Sequence, residues 1–225
     1  MKITEGTIAV LKNFATINQS IIIHEGKVLN TVSNAKNLMG FSEVSETFPK
    51  TAAFYNLNQF INTLDLFDEP DLDFKATHVI ISDDNNSVKF FYADESIINI
   101  SNTVPKFSNS IIDFVLTKED LSALTKAAST LNLPDLILVP ADDSKLELKI
   151  TDFENTTSNT FGRTVGENTL EGDFNFNFKT ENLRLLPKDY DVSITGKSGR
   201  FLARFISTDK TVSYFMALEL ASNQS

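Results

Sequence analysis

Two stretches of this chain carry the same ladder of side chains. Glu5, Ala9, Lys12 and Thr16 recur as Glu119, Ala123, Lys126 and Thr130, so that Glu-x3-Ala-x2-Lys-x3-Thr is written twice. Each ladder sits on a segment of helical period. Over 5–17, after Thr4 as N-cap, the residues Thr7, Val10, Leu11, Phe14 and Ile17 share one face. Over 118–131, after Thr117, the shared face is Leu121, Leu124, Ala128 and Leu131, and Glu119 and Asp120 suit the positive end of the helix dipole. In the register of the ladder Val10 falls on Leu124, Phe14 on Ala128, Ile17 on Leu131 and Asn18 on Asn132. Charge repeats as well: residues 1–110 hold 8 basic and 13 acidic side chains, and residues 111–225 hold 12 and 17. A repeat at half the chain length restricts the fold to two copies of one unit. The expected organisation is a domain at 1–101, a linker at 102–110 and a second domain at 111–225.

Most of the remaining sequence alternates short β-rich runs with turns, which makes the class α+β. In 173–178 every second residue is Phe (Phe174, Phe176, Phe178), the mark of a strand with one buried face. Further strands are expected at 21–23, 51–55, 79–81, 88–92 and 97–100, then at 111–116, 136–139, 146–150, 161–165, 190–195, 201–206 and 212–220. Two shorter helices are expected, at 57–66 capped by Asn56 and at 181–186 between Thr180 and Pro187. Each β-rich domain thus receives one long and one short helix.

Catalytic chemistry finds little footing. The chain has no cysteine, which removes disulfides, thiolate metal sites and thiol nucleophiles. Its two histidines, His24 and His78, lie at the ends of strand-like runs, where a packing role is the ordinary one. Gly196-Lys197-Ser198 mimics the end of a phosphate-binding loop, but Asp191 stands where that motif needs glycine, and 197–199 reads as a hairpin turn. The acids Asp65, Asp68, Glu69, Asp71 and Asp73 lack calcium-loop spacing and read as a solvated loop. No enzyme, metal or cofactor is expected. No apolar run reaches membrane-spanning length, and no signal peptide is visible, so a cytoplasmic protein with no membrane partner is expected.

The net charge of −10 argues against bulk attraction to nucleic acid. Yet Lys12 and Lys126 stand opposite the apolar stripes of their helices, and Arg184 on the second short helix adds a third such cation. Each lysine alone is ordinary on a solvated helix face; as a symmetric pair they form a repeated cationic point.

Residues 10–18 (Val-Leu-Lys-Asn-Phe-Ala-Thr-Ile-Asn), the joint at 54–60 (Phe-Tyr-Asn-Leu-Asn-Gln-Phe) and the C-terminal run with Ala217-Leu218-Glu219 resemble the sliding clamps of large tailed bacteriophages, the processivity factors of their DNA polymerases. The resemblance implies the DNA clamp fold in a closed homotrimeric ring, helices lining the hole and sheets outside. It implies sequence-independent binding of double-stranded DNA. Lys12, Lys126 and Arg184 would face the hole, with Lys2, Lys118, Lys179 and Lys188 near the helix ends. It implies an ATP-dependent clamp loader, a DNA polymerase C-terminal peptide and late-transcription factors as partners.

By order in that fold, ring closure would pair 95–101 with 159–165 of a neighbour, bringing Ile98 and Ile100 onto Phe161 and Val165, with Asp94 and Glu95 available to Arg163. The partner-peptide pocket would lie between the linker residues Val104, Pro105 and Phe107 and the C-terminal Phe215, Leu218, Leu220 and Ala221. The alternative is a β-rich structural or assembly protein whose duplicated domain serves packing alone.

Overall fold

The computed structural model describes residues 1–98, 103–107, 109–197, 200–220 and 222–224. Two compact units divide the chain, Met1–Val104 and Pro105–Ser225.

In the first unit, helix α1 (Glu5–Ile17) is followed by β1 (Ile21–Ile23), the hairpin β2 (Gly26–Val32) and β3 (Leu38–Phe48), and β4 (Ala52–Phe54), which returns to pair antiparallel with β1. Helix α2 (Leu57–Leu64) leads into a meander of β5 (Asp71–Phe74), β6 (His78–Ser82) and β7 (Ser87–Phe91). Phe54 and Phe60 stack at 4.1 Å between ring centroids, with Phe90 and Tyr92 around them.

The second unit repeats this order. Strand β8 (Ile112–Leu116) precedes helix α3 (Lys118–Leu131), then β9 (Asp135–Ala141), the hairpin β10 (Lys145–Thr151) and β11 (Phe161–Glu167), and β12 (Phe174–Lys179), which pairs with β9 as β4 pairs with β1. A meander of β13 (Tyr190–Lys197), β14 (Arg200–Ser207) and β15 (Val212–Ala217) follows, and β16 (Asn223–Gln224) pairs with β12. Strand β8 lies beside β13. Its counterpart in the first unit is Met1, which exchanges two backbone hydrogen bonds with Leu72 of β5. The Phe stripe of β12 closes this core: Phe176 meets Phe201 edge-on at 5.1 Å and Phe178 meets Phe205 at 6.3 Å.

Several elements differ from the sequence reading. The helix expected at 181–186 is a 3-10 turn, Thr180–Asn182. Leu183 and Leu185 are both buried with exposed Arg184 between them, a period of two that a helix does not give. Leu186 donates its amide to Tyr214 Oη (3.2 Å) and accepts from Tyr190 Oη (2.7 Å), so tyrosine hydroxyls replace helical partners just before Pro187. The strand expected at 97–100 begins as a 3-10 turn, Glu95–Ile97, and Ile98 is buried against Ile22 and Ala53. Asp71 and Asp73 sit on the exposed face of β5 rather than in a loop, and β15 ends at Ala217. Strands β2 and β3 escape the sequence reading altogether.

The two long helices also pair in a register one residue away from the ladder. Thr4 and Thr117 cap them, each side chain accepting from the amide three residues on, Thr7 and Asp120. Aligning those caps brings Leu11 onto Leu124, Phe14 onto Ala127 and Ala15 onto Ala128, all buried. Lys12 then corresponds to Thr125, and Lys126 to Asn13. Helix α3 has 14 residues against 13, and the extra one restores the match only at the C-caps, Asn132 and Asn18. Leu131, expected on the apolar face, is 38% exposed.

Candidate nucleic-acid and peptide interfaces

Burial of one stripe leaves the opposite face of each helix in solvent. On α1 that face is Glu5, Ala9, Lys12 and Thr16; on α3 it includes Lys118, Ser122, Lys126 and Ser129. Lys12 Nζ lies 4.0 Å from Asp65 at the end of α2, a loose contact between half-exposed groups. Lys126 and Lys118 form no side-chain ion pair among the described residues. Three other candidates already hold carboxylates. Lys2 bonds Glu69 at 2.6 Å, Lys179 bonds the buried Asp135 at 2.6 Å, and Lys188 bonds Asp209 and the Thr211 hydroxyl. The Asp135 hydrogen bond raises the Lys179 pKa above its ordinary value, although burial opposes it. Arg184 donates Nε to Glu181 O at 2.7 Å and stands beyond the 3-10 turn, not on a helix. The helix faces therefore offer Lys12, Lys118 and Lys126 most freely.

What aims those helices is an anchor at the foot of each. In the first unit Glu46 of β3 accepts from the Thr7 hydroxyl at 2.5 Å and from the Thr4 amide. Partial burial pushes the Glu46 pKa up, but the hydrogen bonds from Thr7, Thr4 and Ser45 outweigh it and hold it at about 2. In the second unit Asp120 sits on the helix, and Arg163 of β11 reaches it with Nε at 2.8 Å and with one Nη. Burial raises the Asp120 pKa, while the Thr117 hydroxyl and Arg163 bring it below the usual carboxylate range. Arg163 is thus engaged within its own unit by Asp120.

Of the expected ring-closure residues, Phe161 is half-buried and Val165 buried on β11, which among the described residues pairs with β10 alone and so forms a sheet edge. Ile98 lies in its own core, and Ile100 falls outside the described residues. Of the expected peptide-pocket residues, Val104 is 53% exposed and Leu220 83% exposed. Pro105 and Phe107 are half-buried, Phe215 and Leu218 are buried, and Ala221 falls outside the described residues. Phe107 and Asn109 are tied to the second meander: Thr195 donates its hydroxyl to Asn109 O at 2.9 Å, and the Phe107 ring lies 4.2 Å from Arg204 Cζ. Sequence reasoning missed Arg204, Glu46 and Asp120. Only Arg204 left a signal, a cation alternating with Leu202 and Ile206 along a strand.

A family model described as the C-terminal part of the gp45 sliding clamp matches residues 113–220. The sliding clamp of Vibrio phage KVP40 is 32% identical over 224 residues, covering 97% of this chain and 99% of that protein. The chain belongs to the phage sliding-clamp family. The sliding clamp of Enterobacteria phage T4 is 26% identical over 99% of this chain and 98% of its own length. Among solved structures, the proliferating cellular nuclear antigen of Entamoeba histolytica superimposes with a TM-score of 0.67 at 16% identity, covering 95% of this chain and 94% of that one. The Helicobacter pylori beta clamp bound to a DNA ligase peptide gives 0.69 at 14% identity, over 96% of this chain and 64% of that one. The fold is the DNA clamp fold, α+β, and the chain is a DNA sliding clamp, a scaffold family rather than an enzyme family. No support exists for the reading as a structural protein without a DNA role. Among the described residues no helix is long and apolar enough to cross a membrane.

Proposed function

We propose that this clamp acts as a homotrimer that closes around double-stranded DNA and holds the replicative polymerase to its template, without catalysis of its own. The observation that carries this reading is the placement of Lys12 and Lys126 on the solvent faces of α1 and α3, corresponding helices of two repeated units, in a chain of net charge −10. Over a Debye length of about 8 Å the local face outweighs the total, so the helix-face lysines hold phosphates in a chain of net negative charge, although Glu5 shares the face of α1. Contacts of this kind go to phosphates and carry no sequence information, which suits a sliding ring. Lys118 and Arg184 are proposed to add to this face; Lys2, Lys179 and Lys188 are proposed as lesser contributors because carboxylates already neutralise them.

Ring closure is proposed between β11 of one copy and 95–101 of its neighbour, of which 99–101 lie outside the described residues, since an edge strand left open is a pairing liability. Phe161 is the contact residue favoured there, and Arg163 is assigned to positioning α3. The proposed partners are the C-terminal peptide of the polymerase, docked beside Phe107, Phe215 and Leu218, an ATP-dependent clamp loader and late-transcription factors, all within the host cytoplasm. Solved relatives lend support: one beta clamp is bound to a DNA ligase peptide, and the C-terminal region of FEN-1 is bound to the PCNA of A. fulgidus.

The test is topological. Loaded onto nicked circular DNA, the protein should remain through gel filtration and leave once the circle is linearised. Equal retention on circle and line would replace enclosure with ordinary affinity.

A further inference from the structure

The outer face of the second meander holds a cation with no acidic partner. Along β14 the side chains alternate, with Phe201, Ala203 and Phe205 in the core and Leu202, Arg204 and Ile206 half-buried on the outer face. Arg204 stands between Ser193 of β13 and Phe215 of β15 in one cross-strand row. The Phe107 ring covers its guanidinium at 4.2 Å. Arg204 Nε is buried and has no hydrogen-bond partner, and no carboxylate among the described residues pairs with this side chain. Asp113, the next residue of the row beyond Ser193, accepts from the Ser110 hydroxyl at 2.6 Å instead.

This is an unusual arrangement in a chain with 30 acids and 20 bases. A guanidinium stacked on an aromatic ring is held in one plane, so less freedom is lost when its fork takes a carboxylate. Burial removes competing water from Nε, and a buried donor left unmet is destabilising until something fills it. The feature therefore calls for an anion.

We propose that Arg204 is the specificity-determining residue of the peptide groove and that it receives an acidic side chain of the docked peptide. This rests on the peptide-docking reading above and deepens it. The acid lies inside the peptide rather than at its end, because apolar ground continues on both sides of Arg204, toward Leu202 and toward Ile206. A chain terminus would stop at the cation. An internal acid flanked by apolar residues fills all three positions, with Phe107 holding the guanidinium from the other side.

The experiment titrates the full-length clamp with three fluorescein-labelled peptides: the polymerase C-terminal peptide, the same peptide with its acidic side chains converted to amides, and the same peptide with its α-carboxylate amidated. Wild-type clamp should bind the second at least tenfold more weakly and the third nearly as well as the first. Arg204→Gln should lose about the same factor with the acidic peptide, show no preference between the first two, and have a smaller dependence on salt. Arg204→Lys, which keeps the charge without the planar fork, should recover part of the loss. Circular dichroism and sedimentation identical to wild type establish that the variants are folded and assembled. Equal binding of acidic and amide peptides by wild type, or an unchanged affinity in Arg204→Gln, overturns the assignment of Arg204 while leaving the groove in place. A tenfold loss confined to the amidated terminus overturns the internal acid in favour of the chain end. No binding of any peptide to wild type overturns the groove itself, and this proposal with it.

Discussion

In the first unit the foot of α1 is held by a carboxylate on the strand, Glu46, which gathers the Thr4 amide and the Thr7 hydroxyl. In the second unit the carboxylate has moved onto the helix as Asp120, and the strand supplies a cation, Arg163. Topology and cap position are the same, with Thr4 and Thr117 serving both helices. The comparison teaches that the two units share a mechanical task, fixing the start of the long helix to the hairpin behind it, and solve it with different chemistry. It also shows an asymmetry of charge: every arginine of the chain lies in the second unit.

The largest expected effect concerns the core under those helices. Phe14 is fully buried, whereas its counterpart by cap alignment is Ala127. Phe14→Ala should destabilise the first unit by about 3–5 kcal/mol in denaturant unfolding. Ala127→Phe should cost about 1–3 kcal/mol by overpacking. A harmless Ala127→Phe would return the helices to the register of the ladder.

Breaking the second anchor comes next. Arg163→Leu leaves the largely buried Asp120 carboxylate with only the Thr117 hydroxyl and should cost about 1–3 kcal/mol. Because an ion pair is screened, wild type should also lose part of this stabilisation in high salt, and Arg163→Leu should not. Equal salt sensitivity in both would break the contrast between the anchors.

The first anchor is neutral on the helix side and should respond to acid instead. Glu46→Gln should cost about 1 kcal/mol near neutral pH. The Glu46 pKa is depressed from 4.5 to about 2 in the folded state, so its contribution is fully present above 4.5 and is lost as pH falls toward 2. The stability gap between wild type and Glu46→Gln should close over that window. A gap that persists at pH 2 would assign the effect to packing.

How much of this was legible in the sequence depended on whether local pattern and tertiary partners agreed. The Thr4 and Thr117 caps show directly because their partners are neighbours in the chain, and the Phe174–Phe178 alternation shows because a period of two is itself local. Strand β3 was invisible since its inward positions include Gly40 and Ser42, small or polar residues that erase the apolar alternation. The segment 181–186 read as a helix because the backbone groups of Leu186 are taken by two tyrosine hydroxyls, that of Tyr190 four residues on and that of Tyr214 in β15, which the local period does not show. At the candidate site, Lys12 and Lys126 were found by helical period. Their true register, and the pairing of Arg163 with an acid 43 residues away, were not, because these follow from packing and from a strand register that no local pattern encodes.

The measurement that bears most directly on the account is processive synthesis by the cognate polymerase with the double variant Lys12→Glu, Lys126→Glu, loaded by its own loader and ATP. Both side chains are exposed, so the melting temperature and the sedimentation of the assembly should match wild type. Product length should fall severalfold, and retention on nicked circular DNA should fall with it. Wild-type product length in a folded, assembled double variant would contradict the assignment of α1 and α3 to the DNA face.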